Sequence, residues 1–355
     1  MLLKRKREIF LLASGHGLND LIAGFFLGSF VNLHLSAAQT GIAITVYNIL
    51  AFGGQYPVAI WLEKNKSPKI FLLFSYVLNL IAVIVFYFSP QLAIFFAGIA
   101  SAIYHVAGGS VCAAENKATN IGFFAAPGVA GLIAGGYLAF IKLNILSGLI
   151  AATAVFLFII TNFKIGKSIE PKFQTKERKT NHSIDRHDII MILLLIVISL
   201  RSVIWNIFQL IHENNYEWLI AIGLSAFLGK ITGGWIADKI GHRVYALFSI
   251  AVATPLITFA KNEIILFCIG IGLLQSGIPA TTSLLIKSLK GKTERGVSLS
   301  FGTAIITGAM FTLLSIQFSM NQWALITGIL LIMVFILFLL KKAALETPFK
   351  LEEKL

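Results

Sequence analysis

Hydrophobic runs of about twenty residues recur along the chain, each closed by a short polar or glycine-rich break. At the helical rise, about twenty residues cross roughly 30 Å of hydrocarbon, so the runs predict membrane helices rather than buried strands. Twelve runs begin near residues 9, 40, 69, 91, 119, 143, 188, 217, 243, 263, 295 and 321. Most breaks are short, which makes neighbouring helices antiparallel. The exception is the polar stretch from Lys164 to Asp188, which holds seven Lys or Arg residues and splits the runs six and six. The pattern therefore predicts an all-α integral membrane protein of twelve transmembrane helices in two pseudo-symmetric six-helix bundles. The expected parts are an N-terminal bundle (1–163), a basic linker (164–187), a C-terminal bundle (188–345) and a tail (346–355).

Composition supports this class and removes another. Apolar residues make up 57% and charged residues 13%, against roughly 25% charged in soluble domains. A net charge of +13 would suggest nucleic-acid binding if the cations formed one aqueous patch, but they sort by side instead. With the N-terminus inside, 25 of the 29 Lys and Arg residues fall in cytoplasmic segments, Lys142 and Lys261 fall outside, and Arg201 and Lys230 lie within runs. That bias places both termini in the cytoplasm of a multi-pass protein of the cell (inner) membrane. Cys112 and Cys268 both sit in apolar runs, without disulfide or metal-ligand spacing, and no cofactor or metal is expected. The basic cluster Lys4 to Arg7 precedes an apolar run as in a signal peptide. That run carries His16, Asn19 and Asp20 and no small-residue cleavage site, so it reads as a retained span.

Ionisable groups inside a bilayer cost roughly 2.5 to 3.5 kcal/mol on insertion scales, so each one is a functional candidate. His16, Asn19 and Asp20 share one helical face. In the seventh run Arg201, Trp205 and Gln209 form a stripe with Asn206 beside it. Asp20 and Arg201 each lie 13 residues inside their helix starts, counted from Arg7 and Asp188. Both are then about 20 Å deep, and a pair across a central cavity is predicted, acting as a proton-sensitive switch or as a static ion pair. Tyr104 and His105 add to the fourth run. His16 and His105 suit, in descending order, a site for a polar or anionic solute, a proton carrier, or a soft-metal site. Lys230 is expected to snorkel towards the cytoplasm. Gln275, Ser276, Gly277 and Pro279 predict a locally broken helix facing a cavity. Gly24 with Gly28, Gly131 with Gly135 and Gly229 with Gly233 are spaced for close helix crossings.

Between the eighth and ninth runs stands Gly233-Gly234-Trp235-Ile236-Ala237-Asp238-Lys239-Ile240-Gly241-His242-Arg243, a short charged hairpin in which Asp238 can cap a neighbouring helix or pair with Lys239 or Arg243. It resembles the major facilitator superfamily loop signature G-x-x-x-D-[RK]-x-G-[RK]-[RK], with His242 at one basic position. Gly234, Asp238, Lys239, Gly241 and Arg243 would then form a cytoplasmic gate. The first-half counterpart, Phe52 to Lys66, keeps glycines and a charged end but lacks the D-[RK]-x-G core, so the gate is expected to be asymmetric. Within that superfamily the chain is most similar to fosmidomycin-resistance-type permeases. His16-Gly17-Leu18-Asn19-Asp20 matches their H-x-x-N-D, Ser101 to His105 and Phe124 to Gly136 resemble their fourth and fifth spans, and Arg201-Ser202 matches their seventh. Val106, Pro127 and Gly136 depart from the pattern.

The resemblance implies the major facilitator fold and a secondary transporter working by alternating access. The reading is a monomer that moves a small organic or anionic solute, coupled to protons through Asp20, His16 or His105, with export favoured over import. Its cavity is expected to be lined by His16, Asn19, Asp20, Tyr104, His105, Arg201, Trp205, Asn206, Gln209 and Gln275. Its partners are the solute, protons and the lipid bilayer, and not nucleic acid. Two alternatives stand beside it: a transporter-like sensor or assembly partner without transport, and a membrane-embedded enzyme. The enzyme needs its reactive groups together near one membrane face, whereas these lie deep and on opposite halves. No P-loop motif for a primary pump is present.

Overall fold

The computed structural model describes residues 2–32, 37–166, 186–212, 215–317 and 321–345. Among these the chain is all-helical: α1 (Leu2–Asn32), α2 (Ala37–Asn48), α3 (Gln55–Asn65), α4 (Pro68–Phe86), α5 (Pro90–Ala113), α6 (Ala118–Phe140), α7 (Leu146–Asn162), α8 (Arg186–Ile211), α9 (Tyr216–Ile240), α10 (His242–Phe259), α11 (Ile264–Ser288), α12 (Thr293–Ser298), α13 (Ala304–Gln317) and α14 (Gln322–Leu345). A π-turn at Ile49–Gly53 joins α2 to α3, and another at Leu299–Thr303 joins α12 to α13, so each pair is one rod. Among the described residues nine helices are long and apolar enough to cross a membrane, and α7 is a shorter apolar helix. Most helices start within a few residues of the hydrophobic runs. The exception is α1, which begins at Leu2 and makes the basic cluster Lys4 to Arg7 part of the helix. Most of the expected linker and the whole expected tail lie outside the described residues.

Local chemistry sets several helix starts. Proline occupies the first position of α4 and of α5, where its missing N–H costs nothing. The side chains of Ser89 and Asn215 accept hydrogen bonds from Leu92 N and Trp218 N and so cap α5 and α9. One expectation is overturned. The helix around Gln275 to Pro279 is not broken, since α11 runs continuously from Ile264 to Ser288 with Pro279 inside it. The reason is local: a proline removes only the hydrogen bond to the carbonyl four residues back, that of Gln275, and the turns on either side stay closed.

The glycine pairs mark the tightest crossings. A Cβ on Gly131 would strike the Gly17 carbonyl of α1, one on Gly135 the Leu21 carbonyl and Phe25 N, and one on Gly24 the Leu132 carbonyl of α6. On the other side Gly229 and Gly233 of α9 lie against the Gly272 and Ser276 backbone of α11. One buried core is built almost entirely from residues 194–340, and two others almost entirely from residues 9–160. The two sets of helices meet at the end that carries Lys64, Lys117, Lys239 and Lys287, called here the basic end. There Arg295 forms an ion pair with Glu63 at 2.8 Å, Ser283 Oγ donates to Asn116 Oδ1 at 2.6 Å, and Gln55 Nε2 donates to the Phe301 carbonyl at 3.2 Å. Helices α6 and α9 stay in contact to the opposite end, where Phe140 stacks on Tyr216 at 3.8 Å. Among the described residues, α1 and α8 have no substantial packing on each other.

A methyl group at Gly135 has nowhere to go, because Phe25 N would lie 2.6 Å away. Gly135→Ala is expected to destabilise the protein by about 1–3 kcal/mol, the usual cost of overpacking. Gly148→Ala, at a helical glycine with nothing within 4 Å of its Cβ, should leave thermal unfolding of the purified protein unchanged or slightly raised.

Candidate functional site

The first polar centre is assembled by α1, α5 and α6. Because α1 lies directly on α6, His16 reaches across to the Phe124 carbonyl, with Nδ1 at 2.7 Å, while its ring stacks on Phe124 with centroids 4.5 Å apart. Its other nitrogen, Nε2, lies 2.9 Å from His105 Nε2 and 3.2 Å from Asp20 Oδ2. His105 in turn has Nδ1 at 2.7 Å from the Ser101 carbonyl and Nε2 at 3.8 Å from Asp20 Oδ1. Asn19 donates to Asp20 Oδ1 at 2.9 Å and accepts from Asn79 Nδ2 at 3.0 Å. Ser101 Oγ receives Tyr47 OH at 3.2 Å. His16, Asn19 and His105 are buried, and Asp20 is half-buried. The space is available because Gly128 of α6 has no side chain: a Cβ there would stand 2.5 Å from His16 Nε2 and 2.6 Å from Asp20 Oδ2. The donor atoms of His16, Asp20 and His105 all fall within 4.8 Å of one another, a set of metal-ligand type that sequence spacing did not bring together.

The second centre lies in the other half. Arg201 of α8 is only 2% exposed, and Nη1 donates to Thr281 Oγ1 of α11 at 3.1 Å. Its Nε and Nη2 are buried without a hydrogen-bond partner among the described residues. Buried donors on a charged group left unsatisfied are costly, by about 1–3 kcal/mol or more. Gly277 again supplies the room, since a Cβ would lie 3.1 Å from Arg201 Nη2.

The expected pair between Asp20 and Arg201 does not form. Asp20 is taken by His16, His105 and Asn19, and Arg201 by Thr281. Between the two centres stands Lys230 of α9, which does not snorkel: Nζ points at the Ala125 carbonyl of α6, 3.5 Å away, within electrostatic range of both Asp20 and Arg201. Sequence reasoning saw Lys230 as intramembrane but judged its depth from chain position alone, without the α6–α9 crossing that turns it inward. Asn79, Ser101, Tyr47 and Gly128 were also missed. Only Asn79, an amide in the middle of an apolar run, gave a signal of its own.

The other expected cavity residues separate. Tyr104 ties α5 to α1 by donating to the Leu12 carbonyl at 2.7 Å and does not hydrogen-bond to Asp20. Trp205 packs against the apolar core of the second half. Asn206 and Gln209 are half-buried, with Asn206 Nδ2 unpartnered, and Gln275 is buried.

At the basic end the hairpin takes one of its two expected forms. Asp238 accepts from Ala118 N at 2.8 Å, Thr119 N at 2.9 Å and Thr119 Oγ1 at 2.6 Å, so its carboxylate caps the N-terminus of α6, a helix of the other half. Gly234 permits the approach, because a Cβ would lie 2.5 Å from the Ala118 carbonyl. Lys239 does not pair with Asp238. It lies over the Trp235 ring, with Nζ 3.5 Å from the centroid. His242 donates from Nε2 to Asp238 Oδ1 at 2.9 Å, and its Nδ1 faces Lys287 Nζ at 3.3 Å. Gly241 turns the chain at φ +95°, in the region that favours glycine. Nearby, Arg5 binds Glu8 at 2.6 Å and Glu115 at 3.1 Å, and Lys117 binds Glu115 at 3.0 Å. Burial alone would raise the Glu115 carboxyl, but Lys117 and Arg5 outweigh it and hold it below its ordinary 4.5.

The sequence profile described as Major Facilitator Superfamily matches residues 9–301. No curated protein matches significantly. The fold is similar to the E. coli fucose:proton symporter FucP (N162A), with TM-score 0.68 and 15% identity over 98% of both chains. It is similar also to FucP in the outward conformation, with TM-score 0.69 and 15% identity over 97% of this chain and 98% of that one. A bacterial homologue of the iron transporter ferroportin, in an outward-facing state, gives TM-score 0.61 and 11% identity over 94% of this chain and 99% of that one.

Removing the Asp238 cap is expected to loosen the basic end by about 0.5–2 kcal/mol. In Asp238→Ala, a cysteine placed at Asn116 should react with a polar maleimide several-fold faster than in the parent. The Glu115 carboxyl is depressed in the folded protein, so its contribution is full above the ordinary carboxylate range and is lost as pH falls through the lowered value. The melting temperature of the purified protein should fall as pH drops below about 4.5, and Glu115→Gln should reduce that dependence.

Proposed function

Since the chain belongs to the major facilitator superfamily, we propose that this secondary transporter moves a small organic or anionic solute by alternating access, coupled to protons. The observation that carries the reading is Arg201, a fully buried guanidinium with two nitrogens unpartnered, facing a half-interface that also holds Lys230. Two cations at this depth, with Asp20 in range of Lys230 only, attract an anionic group, which would supply the missing acceptors of Arg201. The first half contributes the proton-bearing groups Asp20, His16 and His105. The reading uses twelve membrane crossings, two bundles at 1–163 and 188–345, and a monomer. Charge bias puts the basic end in the cytoplasm of the cell membrane. The bonds across that end then close the inside, and the sparse packing of α1 on α8 leaves the outside as the open side. The H-x-x-N-D match supports the likeness to fosmidomycin-resistance-type permeases and with it export. Alternation consists of breaking the Asp238 cap and the Arg295–Glu63 pair while the halves rock about the α6–α9 contact.

Flux in proteoliposomes with an imposed pH gradient tests this. Anionic solutes should move with the gradient and cationic hydrophobic ones should not. Arg201→Gln should reduce flux about 10- to 100-fold, the equivalent of a charge-assisted hydrogen bond worth about 1.5–3 kcal/mol. Asp20→Asn should remove the gradient dependence. Wild-type coupling in Asp20→Asn would overturn the proton role, and absence of any flux across a broad anion panel would favour the transport-deficient sensor.

A further inference from the structure

The hydrogen bonds of the two histidines fix where their protons are. His16 Nδ1 lies 2.7 Å from the Phe124 carbonyl, and His105 Nδ1 lies 2.7 Å from the Ser101 carbonyl. A carbonyl only accepts, so His16 Nδ1 carries a hydrogen; so does His105 Nδ1, whose contact to the Ser101 carbonyl at 2.7 Å is shorter than its contact to Ser101 Oγ at 3.1 Å. A neutral imidazole has one N–H, which leaves a bare lone pair on each Nε2. Yet the two Nε2 atoms face each other at 2.9 Å, and Asp20 Oδ2 stands 3.2 Å from one of them. Three lone-pair donors do not converge at that distance without a positive charge among them. Protonating Asp20 instead does not help, because the contact between nitrogens stays bare.

The occupant is a proton or a metal ion. The 2.9 Å separation is a hydrogen-bond length between nitrogens, and the surroundings hold one carboxylate and a nearby cation. The ionisable groups facing the pair are Asp20 from α1, Tyr104 from α5, Tyr47 from the α2 rod, Tyr76 from α4 and Lys230 from α9. A divalent ion beside Lys230 with Asp20 as sole counter-charge is poorly compensated, and a single proton is not.

We propose that His16 and His105 form a proton-binding site in which one proton is shared between the two Nε2 atoms, beside the Asp20 carboxylate and over the bare face of Gly128. The proposal deepens the transport reading by naming the group that binds the proton in this conformation: an imidazole pair, with Asp20 as its fixed counter-charge. Gly128 is a positioning residue, since a methyl group there intrudes on His16 Nε2 and Asp20 Oδ2 while leaving every ionisable group in place.

The test is nitrogen NMR of the full chain, 15N-labelled at histidine and held in nanodiscs, between about pH 6 and pH 9, the range that brackets ordinary imidazole. The expected result is one imidazolium ring hydrogen-bonded to a ring bare at Nε2. That signal should be lost in His16→Gln, in His105→Gln and in Gly128→Ala, with thermal unfolding recorded for each variant to establish that it is folded. A spectrum in which either ring is an Nε2–H tautomer and neither is an imidazolium overturns the proposal. So does a rise in melting temperature with Zn2+ or Mn2+ that His105→Gln abolishes, which would assign the cluster to a metal. These readouts need no solute, so a failure here leaves gradient-driven flux standing. Loss of flux with the shared proton intact would instead count against the transport reading alone.

Discussion

Where α1 crosses α6, backbone meets backbone with no side chain between, and the polar interior depends on that contact. Lipid tails are as apolar as leucine, so hydrophobicity does not press membrane helices together; close van der Waals fit and interhelical hydrogen bonds do. Gly24, Gly131 and Gly135 supply the fit. The depth of the crossing then lets His16 span to the Phe124 carbonyl and meet His105 above Gly128. A second seam, α9 on α11, brings Lys230 and the Gly277 face to the same level from the other half. The glycines of the two seams thus fix the spacing of the buried charges.

The two halves are unequal in chemistry although similar in architecture. The first holds two imidazoles, one carboxylate and a network of amides and hydroxyls that satisfies them. The second holds a guanidinium with too few acceptors. Breaking up a buried network by removing one partner is strongly destabilising, whereas an unsatisfied buried donor already carries its penalty and gains when an acceptor arrives. Such an arrangement leaves the polar centre of the first half satisfied and that of the second receptive to an added acceptor. The same asymmetry appears at the basic end, where a complete acidic hairpin in the second half caps α6 of the first.

Helix existence and order were legible because a bilayer imposes a length and a polarity that periodic hydrophobicity records directly. His16, Asn19, Asp20 and His105 were found for the same reason: polar residues in apolar runs are conspicuous. Their pairing was not legible. Asp20 and Arg201 share a depth, but depth is one coordinate, and helix rotation and the α6–α9 crossing decide that Asp20 turns to the imidazoles and Lys230 turns inward. Pro279 misled in the opposite way, because a proline removes a single hydrogen bond and the flanking turns of α11 stay closed around it. Gly128 is informative only through what its missing side chain leaves open.

The Asp238 cap has a consequence for how the closed end yields. Its carboxylate is the acceptor for the first amides of α6, and those amides belong to the other half of the molecule. As the halves part, the helix start loses its acceptor and the carboxylate loses its donors together, and only water can take up both at once. On the proposed alternation, separation of this end is therefore also a wetting event, with water entering between Asp238 and Thr119 as their hydrogen bonds break.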